Sequence, residues 1–67
     1  MTLDEVRTRV DEIRAVASDD ESAHSKEDDL YEDVLRAVME DDCEPSASDL
    51  AATALTTKAI NFARWTA

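Results

Sequence analysis

The sequence predicts an all-α fold, a small antiparallel bundle of three helices. Three observations favour this fold. Apolar residues recur at steps of three and four, no segment alternates apolar and polar residues as a half-buried strand does, and short polar stretches separate the periodic segments. A chain of 67 residues forms one domain at most, and we predict helices at about 2–18, 25–42 and 47–65 within a single domain, 1–67.

The first helix is predicted to begin at Thr2, which with Glu5 fits a capping box that satisfies free amide groups at a helix start. An apolar stripe then follows at steps of 3, 4, 3 and 4, formed by Leu3, Val6, Val10, Ile13 and Ala17. This spacing places its members on one face of a helix. We expect the helix to end near Ser18.

The second helix is predicted to follow a polar loop at 18–24 and to be capped by Ser25. Acids at 27–29 fall in its first turn, where the helix dipole favours negative charge. Its apolar face consists of Leu30, Tyr31, Val34, Leu35, Ala37 and Val38. Its opposite face carries Asp28, Asp29, Glu32, Asp33 and Glu40. Arg36 lies among these acids and can pair with Glu32 or Glu40 at four-residue separation.

The third helix is predicted to follow Pro45, which disfavours helix at the residue before it. Either Ser46 or Ser48 caps it. Its inner face is formed by Leu50, Ala51, Ala54 and Leu55. The β-branched pair at 56–57 weakens the helix, which either continues to residue 65 or is broken near Thr57.

The aromatic residues are expected to lie in the core, and they are Tyr31, Phe62 and Trp65. A tryptophan so near the end of the chain needs something to hold it, because termini tend to fray. The neighbouring Arg64 can stack on an aromatic ring or pair with an acid.

Residues 19–44 hold all of the net charge of the chain. Twelve carboxylates stand there against Lys26 and Arg36, which accounts for the net charge of −10, and the remaining residues sum to zero. Such a field repels nucleic acid and attracts basic surfaces. Acids that follow the C-terminal end of a helix oppose its dipole at about 0.3–1 kcal/mol each, so their retention in a small domain indicates a use.

The composition argues against catalysis and against a bound metal or cofactor. Carboxylates are the only abundant reactive groups, and acid–base or metal chemistry requires them to converge in a pocket that a bundle of this size hardly offers. Cys43 and His24 are the single cysteine and the single histidine, so neither an internal disulfide nor a zinc cluster is expected. A membrane span and a secretory signal are not evident, which favours the cytoplasm and a reduced thiol.

We therefore predict a non-enzymatic protein that binds a basic surface of another protein, and that contacts neither nucleic acid nor membrane directly. The candidate binding residues are Asp28, Asp29, Glu32, Asp33, Glu40, Asp41, Asp42 and Glu44. In a narrower form of this hypothesis, the rows of carboxylates stand in for the phosphates of DNA. The alternative is a structural module that self-associates, for example as a homodimer, and whose acids serve only solubility.

Two short strings carry a resemblance to a known group of proteins. They are His24-Ser25-Lys26-Glu27-Asp28-Asp29-Leu30-Tyr31 and Phe62-Ala63-Arg64-Trp65-Thr66-Ala67. In both, the chain resembles short acidic proteins encoded by bacteriophages of actinobacteria. The resemblance implies a phage accessory protein that acts in the cytoplasm of the host cell, and it transfers no catalytic residue.

Overall fold

The computed structural model describes residues 1–64, and in this part of the chain the architecture is the predicted all-α bundle of three helices. Helix α1 spans Leu3–Ala15, α2 spans Asp20–Met39 and α3 spans Ala47–Ala54, and a 3₁₀ helix at Leu55–Ala59 continues from α3. Each of the three α-helices packs against the other two. The radius of gyration is 11.6 Å, close to the roughly 11 Å expected for a compact chain of this length.

The first helix forms as predicted over most of its length. The Thr2 hydroxyl accepts a hydrogen bond from the Glu5 N–H at 3.2 Å and thereby caps α1. Val6, Val10 and Ile13 are buried, as their spacing predicts. The helix ends at residue 15, about three residues before the predicted end, and residues 16–18 form a turn.

The start of the second helix was predicted wrongly, because α2 begins at Asp20 and residues 20–24 are helical rather than a loop. Asp19 is the N-cap, and its carboxylate accepts the Ser22 N–H at 3.2 Å. Acids at 20 and 21 then occupy the first turn, where the dipole favours them. The extra turn brings Ala23 into the core, so Ser25 lies inside the helix and caps nothing.

The end of α2 is a Schellman turn. The helix ends at Met39, about three residues before the predicted end. The Asp41 N–H donates to the Val38 carbonyl at 3.1 Å, and the Asp42 N–H donates to the Ala37 carbonyl at 2.8 Å. This turn requires a left-handed residue, and Asp41 takes that conformation with φ of 55° in a chain that contains no glycine.

A short parallel bridge ties the connection between α2 and α3 to the start of α1. The Leu3 N–H donates to the Glu44 carbonyl at 2.9 Å, and the Glu44 N–H donates to the Met1 carbonyl at 3.0 Å. The bond between Glu44 and Pro45 is cis. Residues 40–44 are therefore fixed against the bundle by backbone hydrogen bonds.

The third helix is capped by Ser46, whose hydroxyl accepts the Asp49 N–H at 3.1 Å. The prediction of a helix to residue 65 is wrong, because α3 ends at Ala54 and the break expected near Thr57 takes the form of the 3₁₀ helix. The Thr56 hydroxyl bonds the Thr53 carbonyl at 2.6 Å, a side-chain contact of the kind that bends helices.

The chain then turns back along α2, and residues 60–64 form a C-terminal segment without regular structure. Ile60 and Phe62 of this segment are buried against the core formed by the three helices. Phe62 thus confirms the prediction of a core aromatic, and Tyr31 packs half-buried at the edge of the core. The predicted core position of Trp65 lies outside the described residues.

Two predicted apolar faces are only partly buried. Leu30, Val34 and Ala37 of α2 are buried, whereas Leu35 and Val38 are 69% and 42% exposed. On the other side, Leu50 and Ala54 of α3 are buried, whereas Ala51 of α3 and Leu55 of the 3₁₀ helix are exposed. Part of the α2 face stays exposed because α3 has only eight residues and covers only part of the longer α2.

Candidate functional site

The predicted binding residues of α2 lie on one exposed side of the helix. At about 100° per residue, they fall within an arc of roughly 140° on the helical wheel, opposite the buried stripe. We call this set the acidic face, and it consists of Asp28, Asp29, Glu32 and Asp33, while Glu40 follows the end of α2 and belongs to the second group described below. All are exposed except Asp33, which is half-buried.

Asp33 is the member of the acidic face whose charge is most compensated. Its carboxylate lies 3.0 Å from the Arg9 guanidinium of α1 and 3.9 Å from that of Arg36. The prediction that Arg36 pairs with Glu32 or Glu40 is therefore wrong, because its guanidinium reaches the residue three positions earlier instead. Asp33 helps to join α1 to α2 and is the least available of the predicted binding residues.

His24 and Asp28 lie one turn apart on α2, and the imidazole Nε2 is 3.5 Å from the carboxylate. The histidine side chain is largely buried at 17% exposure, while Asp28 remains open to solvent. His24 therefore lies within the helix and faces an acid, rather than standing in the loop predicted for it.

The second group of predicted residues forms what we call the acidic corner, residues 40–44. One carboxylate oxygen of Asp42 lies 3.2 Å from the N-terminal amine. The Asp41 and Glu44 side chains are exposed, and no cationic group of the described residues lies within 4.0 Å of them. The Schellman turn and the parallel bridge fix the backbone of the corner, so its charges project from a defined frame.

The carboxylate of Glu27 belongs to neither the acidic face nor the acidic corner. Glu27, predicted to lie in the first turn of the second helix, lies inside α2 and is only 1% exposed. Its two oxygens accept hydrogen bonds from the Arg64 Nε at 2.9 Å and Nη2 at 3.0 Å, a bidentate pair. The Lys58 Nζ lies 3.7 Å from the same carboxylate. Glu27 therefore holds the C-terminal segment and the 3₁₀ helix against α2.

The surroundings of Glu27 keep it ionised. Burial alone would raise the pKa of its carboxyl group, but hydrogen bonds from Arg64 and Thr57, together with the charges of Arg64 and Lys58, lower that pKa below its ordinary value of 4.5. The hydrogen bond to Glu27 likewise raises the pKa of Arg64. Both groups thus remain charged at neutral pH, and the pair stays intact.

Arg64 has further contacts that fix its position. Its guanidinium lies 3.8 Å from the centre of the Phe62 ring and donates to the carbonyl oxygens of Thr57 and Ile60 at 2.7 and 3.1 Å. The two roles suggested by the sequence, stacking on an aromatic ring and pairing with an acid, are thus both confirmed. The acid itself could have been recognised, because position 27 falls in the buried stripe with Ala23 and Leu30, at steps of four and three.

A feature that the sequence analysis missed is an apolar groove between α2 and α3. Its volume is about 260 Å³, and it is lined by Tyr31, Val34, Leu35, Ala51, Ala54 and Leu55. The buried members form its floor, and the exposed Leu35 and Leu55 form its two sides. Val38 and Met39 extend the exposed apolar surface by one turn along α2, and Met39 is 77% exposed.

The described residues 1–64 contain no group of three or more histidine, cysteine, aspartate or glutamate side chains arranged to hold a metal ion. The thiol of Cys43 is free, half-buried and packed against the core. No helix in this part of the chain is long and apolar enough to cross a membrane.

Comparisons with protein-family models, with curated proteins and with solved structures find no match to this chain.

Proposed function

We propose that this protein is a non-enzymatic accessory protein that binds a basic surface of another protein through the acidic face and the acidic corner. One observation supports this proposal above the others. Five carboxylates of these two groups are exposed, and none has a cationic group of the described residues within 4.0 Å; they belong to Asp29, Glu32, Glu40, Asp41 and Glu44. Uncompensated charge of one sign steers a partner of opposite charge.

The position of the corner adds weight to the proposal. Its acids follow the C-terminal end of α2, where negative charge opposes the helix dipole at about 0.3–1 kcal/mol per group. A small domain has little free energy of unfolding to lose, so these charges are retained at a real cost. Binding to a basic partner would explain why these acids are retained despite that cost.

The arrangement of the acidic groups supports a docking role rather than a catalytic one. General acid–base chemistry uses carboxylates that burial has shifted towards neutral pH within a cleft. Here the acids of the proposed surface lie on an open helix face, and the buried Glu27 has its pKa lowered by two cations. The proposal therefore assigns no catalytic residue, cofactor or metal.

The phage resemblance supplies the setting that we propose. In that setting the partner is a host or phage protein in the cytoplasm of an actinobacterial cell. A partner that normally binds DNA would satisfy the narrower form of the hypothesis, in which the carboxylates replace phosphates. Added duplex DNA should then displace the partner, whereas a partner with no DNA site should be unaffected.

A pull-down from an actinobacterial lysate with two charge-matched variants tests the proposal. The corner variant carries Glu40→Gln, Asp41→Asn, Asp42→Asn and Glu44→Gln. The α1 variant carries Asp4→Asn, Glu5→Gln, Asp11→Asn and Glu12→Gln. Each loses four negative charges from a net charge of −10, so only the location of the charges differs.

We expect the wild type and the α1 variant to retain the same protein, and the corner variant to lose most of it. The retained protein should elute as salt rises, because exposed charges are screened within about 10 Å at 0.1 M salt. Equal retention by both variants, or retention that salt does not weaken, would contradict the proposal.

The apolar groove favours one alternative function, a structural module that self-associates. Exposed leucines at 35 and 55 could be covered by a second copy. Light scattering across a concentration series distinguishes the two. A dimer that strengthens with salt, which screens the like charges of the two copies, would support self-association, and a monomer at all concentrations would exclude it.

A further inference from the structure

We propose that the apolar groove between α2 and α3 binds an amphipathic helix of a partner protein, in which lysine or arginine side chains flank the apolar stripe. This inference rests on the proposed function. It names the kind of partner segment that the acidic surface attracts and the place where that segment docks.

The groove has the dimensions of a short helical contact. On α2 the lining of the groove runs from Tyr31 to Leu35, and the exposed Val38 and Met39 continue the apolar surface beyond it. From Tyr31 to Met39 the helix axis rises by about 12 Å, which matches two turns of a bound helix at 5.4 Å each. Leu35 and Leu55 stand on opposite sides, and the small side chains of Ala51 and Ala54 leave room between them. Helices dock in such grooves through anchors spaced at three, four and seven residues.

The exposed side chains along the groove suit an interface. Contiguous apolar patches on a protein surface mark interaction sites more often than single exposed apolar residues do. Leu35, Val38 and Met39 lie at i, i+3 and i+4 on α2 and continue the groove towards the acidic corner. Methionine is unbranched and adapts to partners of different shape.

The carboxylates beside the groove favour a bound helix that carries basic side chains. On the helical wheel Asp28 and Glu32 lie within about 60° of Leu35, so two carboxylates border the N-terminal half of this rim of α2. The acidic corner lies beyond the last turn, at the Met39 end. The nearby cations already face acids of this chain: Lys58, near Tyr31, lies 3.7 Å from Glu27, and Arg36 points to Asp33. A bound helix with basic flanks would meet carboxylates along this rim.

A second copy of the chain fits the groove less well. It would bring the same acidic rim against this one, with a net charge of −10 on each chain. Like charges placed across an interface oppose binding. The charge that favours a basic helix thus disfavours a homodimer through this face.

The test is a fluorescence anisotropy titration with three labelled 15-residue helical peptides. The first has leucines on one face and flanking lysines. The second has the same leucines with glutamates as flanks, and the third has the composition of the first in scrambled order. The protein is used as wild type and as Leu35→Ser/Leu55→Ser, Asp28→Asn/Glu32→Gln and Asp11→Asn/Glu12→Gln. The last pair is the charge-matched control on α1.

We expect the lysine-flanked peptide alone to bind the wild type. The Kd for this peptide should rise by about tenfold or more in the leucine variant and by about threefold in the Asp28/Glu32 variant. The control pair should leave the Kd within about twofold. Urea unfolding of each variant, which should match the wild type because these side chains are exposed, checks that the bundle is intact.

If the leucine variant binds the lysine-flanked peptide as tightly as the wild type does, or if the scrambled peptide binds as tightly as the ordered one, the groove is not the docking site. The acidic face and the acidic corner would then remain as the proposed binding site. Equal binding of the glutamate-flanked peptide, or an unchanged Kd with Asp28→Asn/Glu32→Gln, would overturn the basic partner. A dimer seen by light scattering that the leucine variant abolishes would assign the groove to a second copy and overturn the proposal. Failure of the proposed function itself is seen separately in the corner pull-down.

Discussion

Asp41 shows how a single residue determines the end of α2. The Schellman turn needs a left-handed residue at this position, and glycine, the usual choice, is absent from the sequence. Aspartate tolerates the left-handed region better than most residues because its short side chain can hydrogen-bond locally. Asp41 thus both forms the left-handed position of the turn and contributes a carboxylate to the acidic corner.

Replacing Asp41 with valine should lower the free energy of unfolding by about 1–2 kcal/mol, because a β-branched residue is disfavoured at positive φ. Urea unfolding followed by circular dichroism measures the loss. Glu40→Val is the matched control, since residue 40 has a φ of −86° and loses the same charge, and it should cost under about 0.5 kcal/mol. Equal effects at both positions would show that the backbone conformation at 41 is not what matters.

At the scale of elements, the structure depends on how the C-terminal segment is held to α2. The bidentate pair between Glu27 and Arg64 crosses from the helix to this segment, and the Ala63 N–H donates to the Asp20 carboxylate at 3.0 Å. These contacts bring Ile60 and Phe62 into the core. The segment is therefore part of the bundle, although it contains no helix.

Glu27→Gln should lower the free energy of unfolding by about 1.5–3 kcal/mol, the range for hydrogen bonds to charged groups, because glutamine keeps the volume but loses the charge. Glu32→Gln is the control on the exposed side of the same helix, and it should change the value by less than about 0.5 kcal/mol. Chemical unfolding of both variants measures the difference. Equal, small effects would contradict the role given to the buried pair.

The same pair predicts a pH dependence of known sign. Because folding lowers the pKa of Glu27, its stabilisation is full above the ordinary value of 4.5 and is lost as pH falls through the lower folded pKa. The difference in unfolding free energy between wild type and Glu27→Gln should therefore shrink below pH 4.5. Subtracting the variant removes the effect of the many exposed acids. A difference that stays constant down to pH 3 would contradict a pKa of Glu27 that folding lowers.

The sequence predicted those elements whose stability comes from local signals. Thr2 and the apolar stripe were sufficient for α1, and Ser46 was one of two caps proposed for α3. The start of α2 was missed although Asp19 gives the same capping signal, because residues 20–24 are polar and hide the helical period. Contacts distant in sequence, such as the one between Glu27 and Arg64, set the C-terminal segment, and spacing does not reveal them.

The candidate surface was predictable in part for the same reason. Which acids face solvent follows from the helical period, so Asp29, Glu32 and Glu40 were placed correctly. Whether an acid pairs with a cation depends on the neighbouring helices, so the pairing of Asp33 with Arg9 was not foreseen. The groove was missed because the shortness of α3 became apparent only in the structure.

At the scale of the whole molecule, a net charge of −10 on 67 residues makes self-repulsion a general term in stability. Salt should therefore stabilise the fold by screening this repulsion. We expect the melting temperature to rise by about 2–4 °C between 10 and 150 mM sodium chloride, which corresponds to about 0.5 kcal/mol. A melting temperature that falls with salt would mean that attractive ion pairs outweigh the repulsion.

The location of the binding surface is tested most directly by NMR. The protein that the wild-type chain retains from lysate would be titrated into the ¹⁵N-labelled chain, and the amide shift changes would be mapped along the sequence. We predict that the largest changes fall at residues 28–44, with further changes at the groove residues 51–55, and that those on the exposed side of α1 stay small. Changes centred on α1, or spread evenly over the bundle, would contradict a binding surface made by the acidic face and the acidic corner.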